Sequence, residues 1–207
     1  METTPTTVAE LVKAKALIIG DGYRAKNSEL GPVGLPFARA GNVRGDFNFE
    51  GADLLAEENV PKARHKVSQP GDVVFTSKGT VGRFAFVRET TPRFVYSPQL
   101  CFWRVTDSDV IDARFLFYWM HTDSCEWQFE AMKEQTDMAD FISLRDQMQM
   151  RLDLPHIDEQ RAIGETLASL DDRAYFLRRE AEHLVQLRQT LLPGLLAGTL
   201  PKTSTTA

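Results

Sequence analysis

The sequence predicts an α+β protein in which one mixed domain of strands and helices precedes a long C-terminal coiled-coil helix. Short segments rich in β-branched and aromatic residues, separated by Gly and Pro turns, fill the first half of the chain. An apolar heptad repeat fills its end. We therefore expect a mixed domain at residues 1–154, a helical region suited to dimerisation at 155–200, and a disordered tail at 201–207.

The composition is that of a globular protein with a sizeable core. Of the 207 residues, 43 % are hydrophobic, and the two cysteines are too few for a disulfide framework. The N-terminus lacks both a basic start and an apolar run, and no segment approaches the apolar length of a membrane-spanning helix. These features predict a cytoplasmic protein that does not associate with membranes.

Charge is unevenly distributed along the chain. The net charge is −5, which by itself argues weakly against binding to nucleic acid. Residues 60–104, however, contain eight Lys and Arg against two acids, whereas residues 105–160 contain 13 acids against four bases. This segregation favours a local basic surface that attracts a polyanion. The alternative is that folding scatters these charges over solvated faces.

The N-terminal elements begin at a capping box formed by Thr7 and Glu10, which precedes an apolar run. This pattern predicts a first helix, although residues 16–19 equally suit a strand. Glycine turns follow, and residues 35–43 predict a strand that leads to Gly45.

The central part of the chain predicts a hairpin and further strands. Residues 71–76 follow a Pro-Gly turn and are rich in Val, Phe and Thr, as expected for a strand. Residues 77–80 form a tight polar loop, and residues 81–87 alternate like the returning strand. Residues 94–96 and 100–105 supply further strands.

The character of the sequence then changes to helical. Residues 113–133 are continuous helix formers, and residues 137–150 suit a further helical segment before a Leu-Pro turn. Asp158 is in position to cap the long helix that follows. The Pro193-Gly194 pair is expected to end that helix.

The long helix carries an apolar stripe that a single helix cannot bury. Its first row recurs every seven residues, and its second row contains Leu167, Ala174 and Ala181 before Arg188 interrupts it. The stripe must therefore pack against its own domain or against a partner helix. The candidate dimerisation residues are Ile163, Leu167, Leu170, Leu177, Leu184 and Leu191.

Motifs for catalysis or metal binding are missing from the sequence. Lys78-Gly79-Thr80 superficially suggests a phosphate loop, but the Lys precedes the Gly and the full pattern is absent. His121 and Cys125 lie four residues apart, and two ligands without a second cluster do not make a metal site. We therefore expect no catalytic centre and no bound metal in this chain.

Polar and basic residues in turns are instead suited to binding DNA. Arg and Asn match the edges of guanine and adenine, and Lys and hydroxyl groups hold phosphates. Each group considered singly also fits an ordinary polar turn. The candidate DNA-binding residues are Arg39, Asn42, Arg44, Ser77, Lys78, Thr80, Arg83 and Gln135.

Five segments together resemble the specificity subunit of type I restriction–modification systems. The last is the most distinctive, because its Pro155, Glu159-Gln160-Arg161 and Leu170-Asp171-Asp172 elements run directly into the heptad helix. The resemblance covers residues 8 to 200. The segments are LPFARAGNVRG at 35–45, PGDVVFTSKGTVGR at 70–83, YSPQL at 96–100, IDARFLFYWM at 111–120, and ISLRDQMQMRLDLPHIDEQRAIGETLASLDD at 142–172.

The resemblance implies a DNA-recognition function without enzymatic activity of its own. Family members contain two target-recognition domains and two helical regions that pair antiparallel, whereas this chain has one of each and resembles half of such a subunit. Two copies would therefore pair through residues 158–191 and recognise a two-part target with inverted half-sites.

Partners and cofactors follow from the same resemblance. The implied partners are double-stranded DNA, a DNA methyltransferase subunit and a restriction subunit. S-adenosylmethionine, ATP and Mg²⁺ would be bound by those subunits and none by this chain. The alternative is a solitary coiled-coil protein that occupies methyltransferases or exchanges with other specificity subunits.

Overall fold

The computed structural model describes residues 2–133 and 141–198. Contacts divide the chain into two compact units, Met1–Gly164 and Glu165–Ala207. The first unit contains strands and short helices in alternation, and the second is helical in its described part. The α+β class predicted from the sequence is confirmed.

The strands of the first unit are β1 (Thr3–Thr7), β2 (Leu17–Asp21), β3 (Leu30–Gly31), β4 (Gly34–Ala38), β5 (Leu54–Ala56), β6 (Val73–Thr76), β7 (Phe84–Phe86), β8 (Val95–Tyr96), β9 (Leu100–Val105) and β10 (Arg151–Pro155). Its helices are α1 (Val8–Lys13), α2 (Val60–Ala63), α3 (Ala113–Trp119), α4 (Asp123–Lys133) and α5 (Leu144–Gln147). The long helix α6 (Ile157–Leu196) begins in the first unit and continues into the second.

A central antiparallel sheet with the order β2-β9-β6-β7 organises the first unit. Alternate residues of its strands enter two different cores. Phe75 and Trp103 pack with the helices, whereas Val74 and Phe102 pack with residues of the neighbouring sheet. Because both faces are covered, β6 and β9 are almost continuously hydrophobic instead of alternating with polar residues.

A second four-stranded sheet has the order β3-β5-β4-β8. Its β4 and β8 are parallel, with Phe37 beside Val95 and Ala38 beside Tyr96. A third, two-stranded sheet pairs β1 with β10, so that the N-terminal strand lies against the strand that leads into α6. Together the sheets bring segments from both ends of the first unit into one fold.

A buried ion pair joins the two larger sheets. Arg104 on β9 donates to both carboxylate oxygens of Asp72, with distances of 2.6 and 2.7 Å, and to the carbonyl oxygen of Val67 at 3.0 Å. The hydroxyl of Tyr96 on β8 donates to the same carboxylate at 2.5 Å. Burial, reinforced by the Asp72 charge, raises the pKa of Tyr96 well above its ordinary value, so this hydroxyl stays protonated.

The start of α6 is attached to the first unit by Gln160, which is buried. Its amide nitrogen donates to the carbonyl oxygens of Pro155 at 2.9 Å and Val110 at 3.3 Å. Its amide oxygen accepts a hydrogen bond from the backbone nitrogen of Asp112 at 3.1 Å. This side chain therefore satisfies three backbone groups where β10, the start of α6 and the segment before α3 meet.

The N-terminal helix and the central hairpin agree with the sequence predictions. The Thr7–Glu10 capping box starts α1, and the ambiguous residues after it form the strand β2. The predicted continuous helix at 113–133 is instead two helices. The hydroxyl of Thr122 donates to the carbonyl oxygen of Trp119 at 2.7 Å, and the chain turns there before α4 begins.

Three boundaries differ from the sequence predictions. The predicted strand at 35–43 ends at Ala38, since the Asn42 side chain accepts a hydrogen bond from the Arg39 nitrogen at 2.8 Å and stabilises a 3₁₀ turn. Asp158 is not the cap of α6, which begins one residue earlier, and it lies in the first turn instead. Pro193 does not end the helix; α6 continues to Leu196, and Gly198 follows with a φ of +69°.

The sequence prediction of a further helix at 137–150 is matched in part. Residues 144–147 form α5, which begins with a Ser143–Asp146 capping box. Residues 137–140 of that prediction lie outside the described residues.

Replacing Asp72 with Asn tests the buried ion pair. We expect the free energy of unfolding to fall by about 3–5 kcal/mol, because Arg104 is left buried without its counter-charge. Urea unfolding followed by tryptophan fluorescence at a fixed protein concentration measures this change. Arg161→Ala is the control, because it breaks a pair with Asp109 that is largely exposed, and should cost less than about 1 kcal/mol. If Asp72→Asn lowered the free energy of unfolding as little as the control does, the buried pair would not be important for stability.

Candidate nucleic-acid interface

Three loops meet at one edge of the first unit. They follow β4 (residues 39–45), join β6 to β7 (residues 77–83) and join β8 to β9 (residues 97–99). The Ser97 nitrogen donates to the carbonyl oxygen of Ala38 at 2.9 Å, which fixes the first loop against the third. Loops that are separated in sequence therefore form one surface.

Gln99 is the residue that connects all three loops. Its side-chain oxygen accepts a hydrogen bond from the backbone nitrogen of Ala40 at 3.1 Å. Its carbonyl oxygen accepts one from the backbone nitrogen of Ser77 at 2.9 Å. Gln99 was not among the candidate residues; its place in the YSPQL segment, between two predicted strands, was the signal in the sequence.

The loop at 77–83 has a fixed shape. The Thr76 hydroxyl donates a short hydrogen bond to the carbonyl oxygen of Thr80 and accepts one from the Arg83 nitrogen at 3.0 Å. Gly79 and Gly82 adopt φ angles of +76° and +88°, which residues with a Cβ rarely adopt. The turn therefore presents Thr80, which is exposed, in a defined position.

Ser77 has a structural position. Only 1 % of the residue is exposed, and its backbone nitrogen and hydroxyl both point to the carbonyl oxygen of Gln99, at 2.9 and 3.4 Å. In this structure Ser77 supports the loop from beneath its surface, and the expected contact of its hydroxyl with DNA stays a prediction.

Lys78 lies over an aromatic ring. Its ammonium nitrogen is 4.6 Å from the centroid of Phe141, and the two residues form an isolated β-bridge. The Ile142 nitrogen adds a hydrogen bond to the carbonyl oxygen of Ser77 at 3.1 Å. Contact with the ring restricts the lysine while leaving its charge intact.

The residues of the first loop have different roles. The Asn42 amide is engaged at both ends, since its nitrogen also donates to the carbonyl oxygen of Asn48 at 2.8 Å, so it organises the loop. Arg39 is half-exposed and pairs with Asp53 at 2.5 Å. Arg44 is exposed.

A cleft of about 850 Å³ opens between these loops and α4. The guanidinium of Arg83 reaches the carbonyl oxygen of Ala40 at 3.5 Å on one wall, and Lys133 pairs with Glu130 at 2.5 Å on the other. The cleft therefore carries basic groups at the loops and a mixed charge along the helix. It is lined by Arg44, Gly45, Val81, Gly82, Arg83, Phe84, Met120, His121, Glu126, Phe129, Glu130 and Lys133.

Several basic residues of the 60–104 stretch are paired with acids and do not add to this surface. Lys62 pairs with Glu29 at 3.0 Å, Lys66 pairs with Asp21 at 2.8 Å, and Arg104 is buried with Asp72. Folding thus reduces the charge excess that the sequence displays. The positive charge that lies at the loop surface comes from Arg44, Lys78 and Arg83, whereas Arg39 is paired with Asp53.

The structure brings together seven of the eight candidate DNA-binding residues. Gln135, the eighth, lies outside the described residues. Whether any of the seven touches DNA stays a prediction.

Cys125, which was considered with His121 as a metal ligand, is buried. Burial raises the pKa of this thiol to about 12, so it is neutral at physiological pH. Within residues 2–133 and 141–198, no group of three or more His, Cys, Asp or Glu side chains is arranged to hold a metal ion. No helix in the same ranges is long and apolar enough to cross a bilayer.

The second unit carries the apolar stripe of α6 on an exposed helix. Leu170 is 64 % exposed, and Leu177 and Leu184 are each 55 % exposed. Leu167 and Leu191 are each 38 % exposed. Ile163 belongs to the first unit and packs against the core of that unit. The five leucines predicted for dimerisation therefore remain accessible to a partner.

Comparison with known proteins identifies relatives of this architecture. A family model described as the type I restriction modification DNA specificity domain matches residues 12–184. The specificity subunit of the type I restriction enzyme MjaVIII from Methanocaldococcus jannaschii is 26 % identical over 196 residues. That match covers 91 % of this chain and 45 % of the relative, so the chain spans about half the length of the curated protein it matches.

Two solved structures share the fold. The S subunit of a type I restriction-modification system from M. genitalium superposes with a TM-score of 0.67 at 16 % identity, over 95 % of this chain and 46 % of that one. The HsdS subunit from Thermoanaerobacter tengcongensis gives a TM-score of 0.59 at 19 % identity, over 96 % of this chain and 45 % of that one.

Replacing Gln99 with Ala tests its role as the connector of the loops. The Ala40 amide loses its acceptor, so we expect its hydrogen exchange to accelerate by about tenfold or more while exchange in β6 and β9 is unchanged. Exchange measured by NMR or mass spectrometry reports this directly. Gln149→Ala, at an exposed position, is the matched control. Equal protection of Ala40 in the two variants would refute the connection.

Proposed function

We propose that this chain is the DNA-recognition subunit of a type I restriction–modification complex, because it belongs to the family of type I restriction modification DNA specificity domains. The observation that carries the proposal is the surface formed by the three connected loops. It joins Arg44, Lys78, Thr80 and Arg83 on a rigid scaffold, and these groups suit the phosphates and base edges of a duplex.

The loop surface favours duplex DNA for a physical reason. Its basic groups supply an attraction that is independent of sequence, while the fixed shape of the 77–83 loop can orient Thr80 and Arg83 toward base edges in a groove. The supporting hydrogen bonds lie behind the loop and involve backbone groups. Side chains at the surface can therefore change without loss of the loop geometry.

Catalysis is proposed to reside in partner subunits. A DNA methyltransferase subunit would bind S-adenosylmethionine, and a restriction subunit would bind ATP and Mg²⁺. The role of this chain would be to select the sequence at which they act, as part of a defence against phage.

The accessible leucines of α6 support a homodimer of this chain. A second copy paired along this stripe would place two recognition domains in one assembly. The helix contains 40 residues, which corresponds to about 60 Å. A pair of such helices would act as a spacer between two inverted half-sites.

Alanine at Arg44 or Lys78 tests the DNA-binding surface. A duplex is first selected from a random pool with the chain and its methyltransferase subunit, and fluorescence anisotropy then measures affinity at several salt concentrations. If these residues contact phosphates, each substitution weakens binding to all duplexes alike and lowers the salt slope by about 1. Arg83→Ala should instead relax preference at one position of the target.

Arg93→Ala is the matched control for these variants. Arg93 is exposed and lies before β8, at the end of that strand opposite the 97–99 loop. Its substitution should leave affinity unchanged. Equal affinity of the wild type for all duplexes would contradict the recognition function. If the chain still dimerises, that result would favour a solitary interaction protein.

Introducing Leu177→Glu together with Leu184→Glu tests the dimer. Two carboxylates in each helix would lie in the apolar contact, so we expect dimerisation to weaken by about a hundredfold or more. Analytical ultracentrifugation gives the mass of the wild type and the variant. Gln186→Glu, on the opposite side of the helix, is the control. A variant that stays dimeric would show that the dimer forms elsewhere.

A further inference from the structure

We infer that the antiparallel pair that the family resemblance implies for two copies of α6 forms in one register, in which Asp171 meets Arg178 of the second copy and Arg173 meets Glu180 of the second copy. This inference rests on the proposed homodimer and specifies its geometry. It concerns the part of α6 that belongs to the second unit, where all four charged residues are exposed.

The composition of the stripe selects the antiparallel orientation. One row of the stripe contains Leu170, Leu177 and Leu184, and the other contains Ala174 and Ala181. A parallel pair sets each row against itself, which crowds Leu on Leu, leaves Ala opposite Ala and brings Arg188 against Arg188. An antiparallel pair sets one row against the other, so the leucine row faces the row that contains Ala174 and Ala181, and the contact fills more evenly.

Charged residues flank the stripe on both sides. Asp171 and Arg178 lie on one flank, seven residues apart, and Arg173 and Glu180 lie on the other. In an antiparallel pair, each flank faces the same flank of the second helix. Flanking charges of this kind set the orientation and the register of paired helices.

One register matches the charges on both flanks at once. When the twofold axis passes at the level of Tyr175 and Phe176, Asp171 faces Arg178 of the second copy on one side, and Arg173 faces Glu180 of the second copy on the other. The symmetry makes each of these pairs twice. In the same register, Leu177 packs on Ala174 and Leu170 packs on Ala181.

Neighbouring registers bring like charges together. A shift of one helix by seven residues against the other, which moves the twofold axis toward the C-terminus, sets Arg178 against Arg178 and Glu180 against Glu180. A shift by one heptad toward the N-terminus sets Asp171 against Asp171 and Arg173 against Arg173. A parallel pair would bring Arg173 close to Arg178. Repulsion therefore disfavours each alternative, and the two flanks agree on a single solution.

Charge reversal on one flank tests this register. In Asp171→Lys, a lysine faces Arg178 twice in the dimer, and in Arg178→Glu, a glutamate faces Asp171 twice. We expect each variant alone to dimerise about tenfold or more weakly than the wild type. Residues 171 and 178 are about 10 Å apart along the same helix, so their direct interaction within one chain is weak.

Mixing the two variants provides the decisive measurement. In a heterodimer, the new lysine faces the new glutamate and Arg178 faces Asp171, so both contacts are attractive again. Native mass spectrometry of an equimolar mixture should find the heterodimer in large excess over either homodimer. The double variant carrying both substitutions should dimerise like the wild type. Gln186→Lys, which lies outside the flanks, is the control, and its mixture with the wild type should contain homodimers and heterodimers in statistical proportion.

The outcomes separate the register from the dimer itself. A wild type that is monomeric at micromolar concentration overturns the homodimer and this inference with it. A dimeric wild type whose charge variants dimerise normally and mix statistically overturns the register alone, and leaves the proposed function in place. Dimerisation of Asp171→Lys as strong as that of the wild type would also refute the register, whatever the effect of Arg178→Glu.

Discussion

The buried carboxylate of Asp72 is the point on which the geometry of the first unit depends. It precedes β6 and accepts hydrogen bonds from Arg104 on β9 and Tyr96 on β8, which belong to different sheets. A charge pair in this position is costly to desolvate, and removing one partner costs more than the pair contributes. Its effect is therefore to define one arrangement of the sheets. Since β8 and β9 flank the 97–99 loop, the same interaction positions Gln99 for its hydrogen bonds with the other loops.

Charged residues have different surroundings in the two units. In the first unit, charged groups are paired inside the chain, as Lys66 with Asp21, and this leaves a limited set of basic side chains at the loops. In the second unit, the charges beside the leucine stripe are exposed, and in the proposed homodimer they would pair with a second copy of the same helix. The proposed polyanion-binding surface and the proposed helix pairing are thus compatible with a net charge of −5.

Local patterns made much of the fold predictable. The heptad spacing identified α6, the Thr7–Glu10 capping box identified α1, and the hydrophobic runs identified β6 and β9, because each of these signals lies within a short segment. The burial of Ser77 and the bridging role of Gln99 were not predictable, since both depend on loops that meet only in the folded chain. The end of α6 was misplaced for a local reason. Pro193 lacks one hydrogen-bond donor, but the helix tolerates that loss and stops near Gly198.

The support of the 77–83 loop has a consequence for how such a protein can acquire a new specificity. The loop is held by Gln99 from one side and by Phe141 and Ile142 from another, although these residues lie far away in the sequence. Recombination that exchanged the loop alone would separate it from its supports and yield a poorly ordered hybrid. Exchange of the whole segment between α1 and β10 would carry loop and supports together. Inheritance of specificity in this architecture should therefore proceed by whole domains, with point substitutions at the exposed tips providing the finer variation.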